Sequence, residues 1–167
     1  MMKKSVFLIG FMFFAVLMSA QNPLGKGEKQ LNAGLGFSNW GLPIYVGLDY
    51  GVHPDISIGG EFCLHTFHEK WGGTVYSHTV FGFAFNGNYH FNTILNIPST
   101  WDFYAGLNIG FNFWSSPDNY PGNYGPGVGL GAQIGGRYFI TNRFGLNLEL
   151  GGGNASTGGK FGITYQF

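Results

Sequence analysis

The chain has 167 residues, and its eight Lys/Arg balance its eight Asp/Glu to a formal charge of zero. Charged residues make up only 10% of it, against about 25% in an ordinary water-exposed domain, while aromatics reach 19% and glycines number 30. The charge balance excludes the basic surface of a nucleic-acid-binding protein, the solitary Cys63 excludes an internal disulfide, and the composition suits a protein whose outer surface does not face water.

At the amino end, Lys3 and Lys4 precede an uncharged apolar run, Val6 to Met18, which exits through Ser19-Ala20 to polar Gln21. A charged start, a short apolar stretch and a small-residue exit are the parts of a secretory signal peptide. Residues 1–20 are therefore expected to be removed, leaving residues 21–167 as one domain. A transmembrane helix would need about 20 apolar residues, and the residue immediately after the cut is Gln21, not a cysteine that could take a lipid anchor. Loss of Lys3 and Lys4 leaves six Lys/Arg against eight Asp/Glu, a formal −2.

From Leu31 onward the chain alternates with period two, the signature of strands with two unlike faces. The apolar positions run through Leu31–Phe37, Ile44–Tyr50, Ile56–Leu64 and Thr79–Phe91, then Trp101–Phe113, Val128–Tyr138, Phe144–Leu150 and Phe161–Phe167. Every charge inside these segments falls on the opposite parity: Asp49, Glu61, Asp102, Arg137, Glu149 and Lys160; only Lys29, at the start, breaks the rule. The polar parity is otherwise mostly Gly, Asn, Gln and Ser, while the apolar parity carries many Phe and Tyr rings. A small barrel has room inside for little more than its own side chains, so these rings would overfill it. Turned outward they face lipid, with glycine leaving space for the polar groups within. The expectation is an all-β protein, an eight-stranded antiparallel transmembrane β-barrel of up-and-down meander topology. Val52–Asp55 and Ile140–Arg143 read as tight turns and Asn92–Thr100, with Pro98, as a looser one. Ser38–Pro43, His68–Thr74, Ser115–Pro126 and Gly152–Gly158 read as the loops of the other end, and no helical or repeat signal is present.

The last strand carries a polar Lys160, then Gly162, an aromatic Tyr165 and a terminal Phe167. This arrangement resembles the terminal assembly signal of bacterial outer-membrane β-barrels, and the whole mature chain resembles the small OmpA/OmpX-type barrels. The resemblance implies residence in the outer membrane with both termini periplasmic, a surround of outer-membrane lipid and lipopolysaccharide, and insertion by the barrel-assembly machinery. It also implies a structural or surface role with no cofactor and no enzymatic activity. Three other roles stay open. An OmpW-type conduit for small hydrophobic solutes would use inward Tyr45, Phe67, Tyr104 and Trp114; an adhesin would need larger loops; an accessory subunit of a membrane complex would look much like this chain.

In a hairpin, opposed residues have numbers that sum to a constant about the loop centre. Glu149 and Lys160 centre on Gly152–Gly158, and Asp102 and Arg137 centre near Ser115–Pro126, so each couple is expected to form an interior ion pair. Such pairs would serve as a gate or, as the preferred account, would compensate charges that are costly to leave unpaired in a tight interior. His65 and His78 are expected to oppose each other across His68–Thr74, with Cys63 two residues from His65. Thiolate and imidazole suit zinc, yet no short-spaced ligand motif is present, so polar lining with no metal is the preferred reading. Glu61 and His65 lie about 13 Å apart along one strand, too far for a catalytic dyad. The Ser115–Pro126 loop alone carries two tyrosines, Tyr120 and Tyr124, as recognition loops do; they are candidates for surface recognition.

Overall fold

Bulky side chains on one parity and glycine or amides on the other favour extended backbone with one face free to be crowded. The computed structural model describes residues 24–38, 41–153 and 158–167; the expected signal peptide and its cleavage site lie outside the described residues. The strands are β1 (Lys29–Ser38), β2 (Ile44–His53), β3 (Ile56–Trp71), β4 (Thr74–His90), β5 (Trp101–Ser115), β6 (Gly127–Phe139), β7 (Phe144–Gly153) and β8 (Gly158–Gln166). Each pairs antiparallel with the next, and β8 returns to β1 to close the barrel.

The two faces are inverted relative to a water-exposed domain. Leu107, Leu130 and Phe161 are 71%, 66% and 56% exposed, whereas Gln30, Asp49, Asp102, Arg137 and Thr164 are buried inside. The closing seam depends on missing side chains. Gly34 opposes Gly162, and a Cβ on either would sit 2.2 Å from a carbonyl oxygen of the other strand.

β3, β4 and β5 run for 16, 17 and 15 residues, while a tilted strand crosses the hydrocarbon layer in about 9–11. Their surplus projects beyond the barrel at the end opposite the chain termini. His68–Thr74, expected as a loop, is therefore mostly strand. Its turn is Gly72–Gly73 alone, with φ of +57° and +90°, the left-handed pair that a two-residue hairpin turn demands. This changes the register: His65 opposes Val80, and His78 opposes Phe67. The expected facing of His65 and His78 is corrected accordingly.

A second departure is α1 (Asn92–Leu95) in the β4–β5 connection. One turn is too short to display a helical period. Buried Asn92 fixes it, donating from its side-chain amide to the Trp101 carbonyl at 2.5 Å. At the terminal end Leu24 is buried, and Gly27 N–H donates to the Gly51 carbonyl at 2.8 Å.

Candidate functional site

The inward parity gathers the charges into two clusters stacked along the barrel axis. In the one nearer the termini, Arg137 donates from Nη1 to Asp102 Oδ2 at 2.8 Å and from Nη2 to Asp49 Oδ2 at 2.7 Å. Its guanidinium lies 4.2 Å from the Tyr104 ring centre, and all three charged groups are buried. Asn32 Nδ2 donates to Asp49 at 2.9 Å, so each carboxylate has a further partner. For Asp102 that partner is His90, whose Nδ1 is 2.7 Å from Oδ1, while His90 Nε2 is 2.9 Å from Ser57 Oγ.

Ser57, His90 and Asp102 thus stand in the hydrogen-bond order of a nucleophile, base and orienting acid. A reacting carbonyl must reach the hydroxyl, however, and Ser57 and Asp102 are both fully buried. The second Asp102 oxygen is already bound to Arg137. The arrangement satisfies buried polar groups, as a tight interior requires.

The second cluster centres on Lys160. Its Nζ lies 2.6 Å from Glu149 Oε1 and 2.7 Å from Glu61 Oε2, and Tyr104 donates its hydroxyl to Glu149 Oε2 at 2.8 Å. Asp102 faces Arg137 and Glu149 faces Lys160 across their hairpins, but each cation also reaches across the lumen to a carboxylate on a distant strand. A belt of amides continues the network: Gln133 donates from Nε2 to Asn88 Oδ1 at 2.8 Å and accepts at Oε1 from Asn108 Nδ2.

A cavity of about 100 Å³ opens above the Lys160 cluster, lined by Glu61, Cys63, Asn86, Asn108, Glu149 and Lys160 among others. Below it, between the clusters, the space shrinks to about 20 Å³, room for roughly one water molecule. The interior is a shallow cup over a polar plug.

The projecting hairpin builds a third site outside the spanning region. Tyr120 and Tyr124 donate their hydroxyls to Glu69 Oε2 at 2.7 and 2.9 Å. Their rings stack on each other at 5.7 Å, and Tyr124 stacks on Trp114 at 4.4 Å. Buried His78 meets both tyrosines edge-on and lies 2.9 Å from Ser116 Oγ. Both rings therefore pack against the hairpin instead of standing free in solvent. The hydrogen bond from Tyr120, then that from Tyr124, holds the Glu69 carboxyl below the usual carboxylate range, and the same bonds push both phenols up.

Of the terminal residues, Lys160 lies inside the barrel and Gly162 in the seam, while Tyr165 and Phe167 are exposed on the outer face with ring centres 6.4 Å apart. Cys63 faces Gly82 inside the barrel. Among the described residues no three His, Cys, Asp or Glu side chains are grouped as metal ligands would be.

No family model and no curated protein matches the sequence. Solved structures do resemble it. The outer-membrane protein OprG of Pseudomonas aeruginosa aligns with a TM-score of 0.68 at 9% identity, covering 89% of this chain and 98% of that one. The N-terminal β-barrel domain of OprF from the same organism gives 0.62 at 12% identity over 86% and 99%. Neisserial surface protein A gives 0.53 at 14% identity over 84% and 95%. At such identities the likeness is one of architecture, and it agrees with the closed meander and its inverted faces: the chain has the fold of the small eight-stranded outer-membrane β-barrels.

Proposed function

We propose that this protein is a non-enzymatic β-barrel of the bacterial outer membrane with a structural or surface role. The observation that carries the reading is the inversion of faces: outward Leu, Ile, Phe and Tyr are exposed while Asp49, Asp102 and Arg137 are buried. In lipid that outer surface is covered and the closed ladder leaves no unpaired strand edge, the condition for a strand to span a bilayer. Residues 1–20 act as the export signal and residues 21–167 form the barrel. Both termini are periplasmic, the outer face meets outer-membrane lipid and lipopolysaccharide, and the barrel-assembly machinery reads the strand ending in Tyr165 and Phe167.

The interior argues against a conduit, because Arg137 with its two aspartates fills the lumen below the cup. Fractionation tests location: the protein should sediment with outer membranes as a heat-modifiable band, and recovery from the soluble periplasm would overturn the reading. Planar bilayers test the role. Refolded monomer should give no stable porin-like conductance, and reproducible conductance abolished by substituting Tyr104 or Trp114 would favour the OmpW-type alternative.

A further inference from the structure

The projecting β3–β4 hairpin and the Ser115–Pro126 loop bring four donor atoms toward one point. Glu69 Oε2 lies 2.7 Å from the Tyr120 hydroxyl, 2.9 Å from that of Tyr124 and 3.9 Å from His78 Nε2. The phenolic hydrogens account for the two short separations. A hydrogen bond does not account for the long one. His78 is fully buried, and its Nε2 has no hydrogen-bond partner among the described residues. Even a protonated Nε2 would find the Glu69 oxygen beyond the usual reach of about 2.7–3.2 Å, and a neutral one turns a lone pair toward a carboxylate. A buried polar atom left in this way requires an account.

The separations are those of ligands around a shared metal ion. Imidazole nitrogen and carboxylate oxygen bind a metal at about 2.0–2.2 Å, so ligands on opposite sides of one ion stand roughly 4 Å apart. Ligands on adjacent sides stand closer, as the two phenol oxygens do to Glu69. The surroundings also suit the role. His78 Nδ1 is 2.9 Å from Ser116 Oγ, the kind of partner that fixes the ring of a ligating histidine. Both tyrosine rings meet His78 edge-on and stack on each other, which holds their hydroxyls in place. The Glu69 side chain is 27% exposed, so an ion can enter from solvent. Two of the four donors are tyrosines, which is why the acids and histidines alone form no metal cluster among the described residues.

We propose that Glu69, His78, Tyr120 and Tyr124 form a binding site for a ferric ion, with water completing its shell. Three oxygens and one imidazole nitrogen are a donor set for a hard cation that also accepts nitrogen. With both phenols deprotonated, the tyrosines and Glu69 carry three negative charges, which a trivalent ion balances and a divalent one does not. Entry of the ion displaces the two phenolic protons to water, and no electron is transferred. Of the Cys63, His65 and His78 set that the sequence raises for zinc, only His78 takes part. The site lies beyond the spanning region and does not depend on the role proposed for the barrel.

The test uses the protein purified in detergent without an affinity tag, stripped with a chelator and titrated with ferric nitrilotriacetate. Binding should saturate at a single ion per chain, and coordination by phenolate should give a visible charge-transfer band. Tyr120→Phe and Tyr124→Phe keep the rings and remove the oxygens; each should weaken the band, and together they should abolish it. Glu69→Gln and His78→Gln should each lower the affinity at least about tenfold, a loss that even an outer-shell partner's removal can bring. Zinc sulfate at equal concentration should not displace the iron. A heat-modifiable band on gels shows that each variant has kept its barrel. Should His78→Gln not fold, the tyrosine variants carry the test, since their rings still pack. Absence of a visible band, a band unchanged in the double tyrosine variant, or displacement by equimolar zinc would overturn the proposal.

Discussion

Arg137→Met is the most direct probe of the interior, because it keeps most of the side-chain volume and removes only the charge. The substitution abolishes two charge-assisted hydrogen bonds, at 2.7 and 2.8 Å, each contributing about 1.5–3 kcal/mol. It also removes a guanidinium–ring contact with Tyr104, of about 2 kcal/mol when desolvated. Against this, burying methionine avoids the desolvation of arginine. Asp49 keeps its bond from Asn32, and Asp102 keeps that to His90, so neither carboxylate is wholly stranded. The net loss should fall near the lower part of the range for breaking a buried pair, about 3–5 kcal/mol. Reversible urea unfolding in lipid vesicles, followed by tryptophan fluorescence and by the heat-modifiable shift on gels, measures it. The control is the triple variant Asp49→Asn, Asp102→Asn, Arg137→Met, which removes the stranded charges and should recover more than half of the loss. A single variant within about 1 kcal/mol of the parent, or a triple variant no more stable than the single, would refute the view that Arg137 is held by compensation of buried charge.

Deleting Phe167 should lower the membrane-inserted, heat-modifiable fraction in cells while leaving refolding in detergent intact; insertion at the parent's yield would remove the terminal aromatic from the assembly signal. Replacing Tyr120 and Tyr124 together by Phe should free the 115–126 loop from Glu69 and speed its cleavage by an added protease, with the barrel itself resistant. The pH dependence follows from the sign of the Glu69 shift. Because its carboxyl is held below the usual range, the latch is fully present above that range and is lost only as pH falls through the lowered value. Loop protection should therefore persist through mildly acidic conditions, and release near neutral pH would contradict the hydrogen-bond assignment.

Much of this molecule is legible in its sequence because a barrel strand has a period of two and each residue belongs to one of two faces. Parity alone separates Asp102, Arg137, Glu149 and Lys160 from the lipid-facing set, and reflection about a loop centre places each couple opposite. The method falters at β3 and β4 for a physical reason. His68, Glu69 and Lys70 are polar because the hairpin has left the membrane, so the pattern that marks a half-buried strand fades although the ladder continues. The signal that survives is Gly72-Gly73, a two-residue turn in which both positions take positive φ; it moves the hairpin centre and the partners of His65 and His78 with it. Pairs that cross the lumen are beyond reflection altogether. Lys160 on β8 meets Glu61 on β3, and Arg137 on β6 meets Asp49 on β2, because closing the sheet tilts and staggers its strands and brings distant strands to one level. The Lys160 cluster arises in this way: Glu149 and Lys160 pair within their hairpin, and Glu61 joins them from across the lumen.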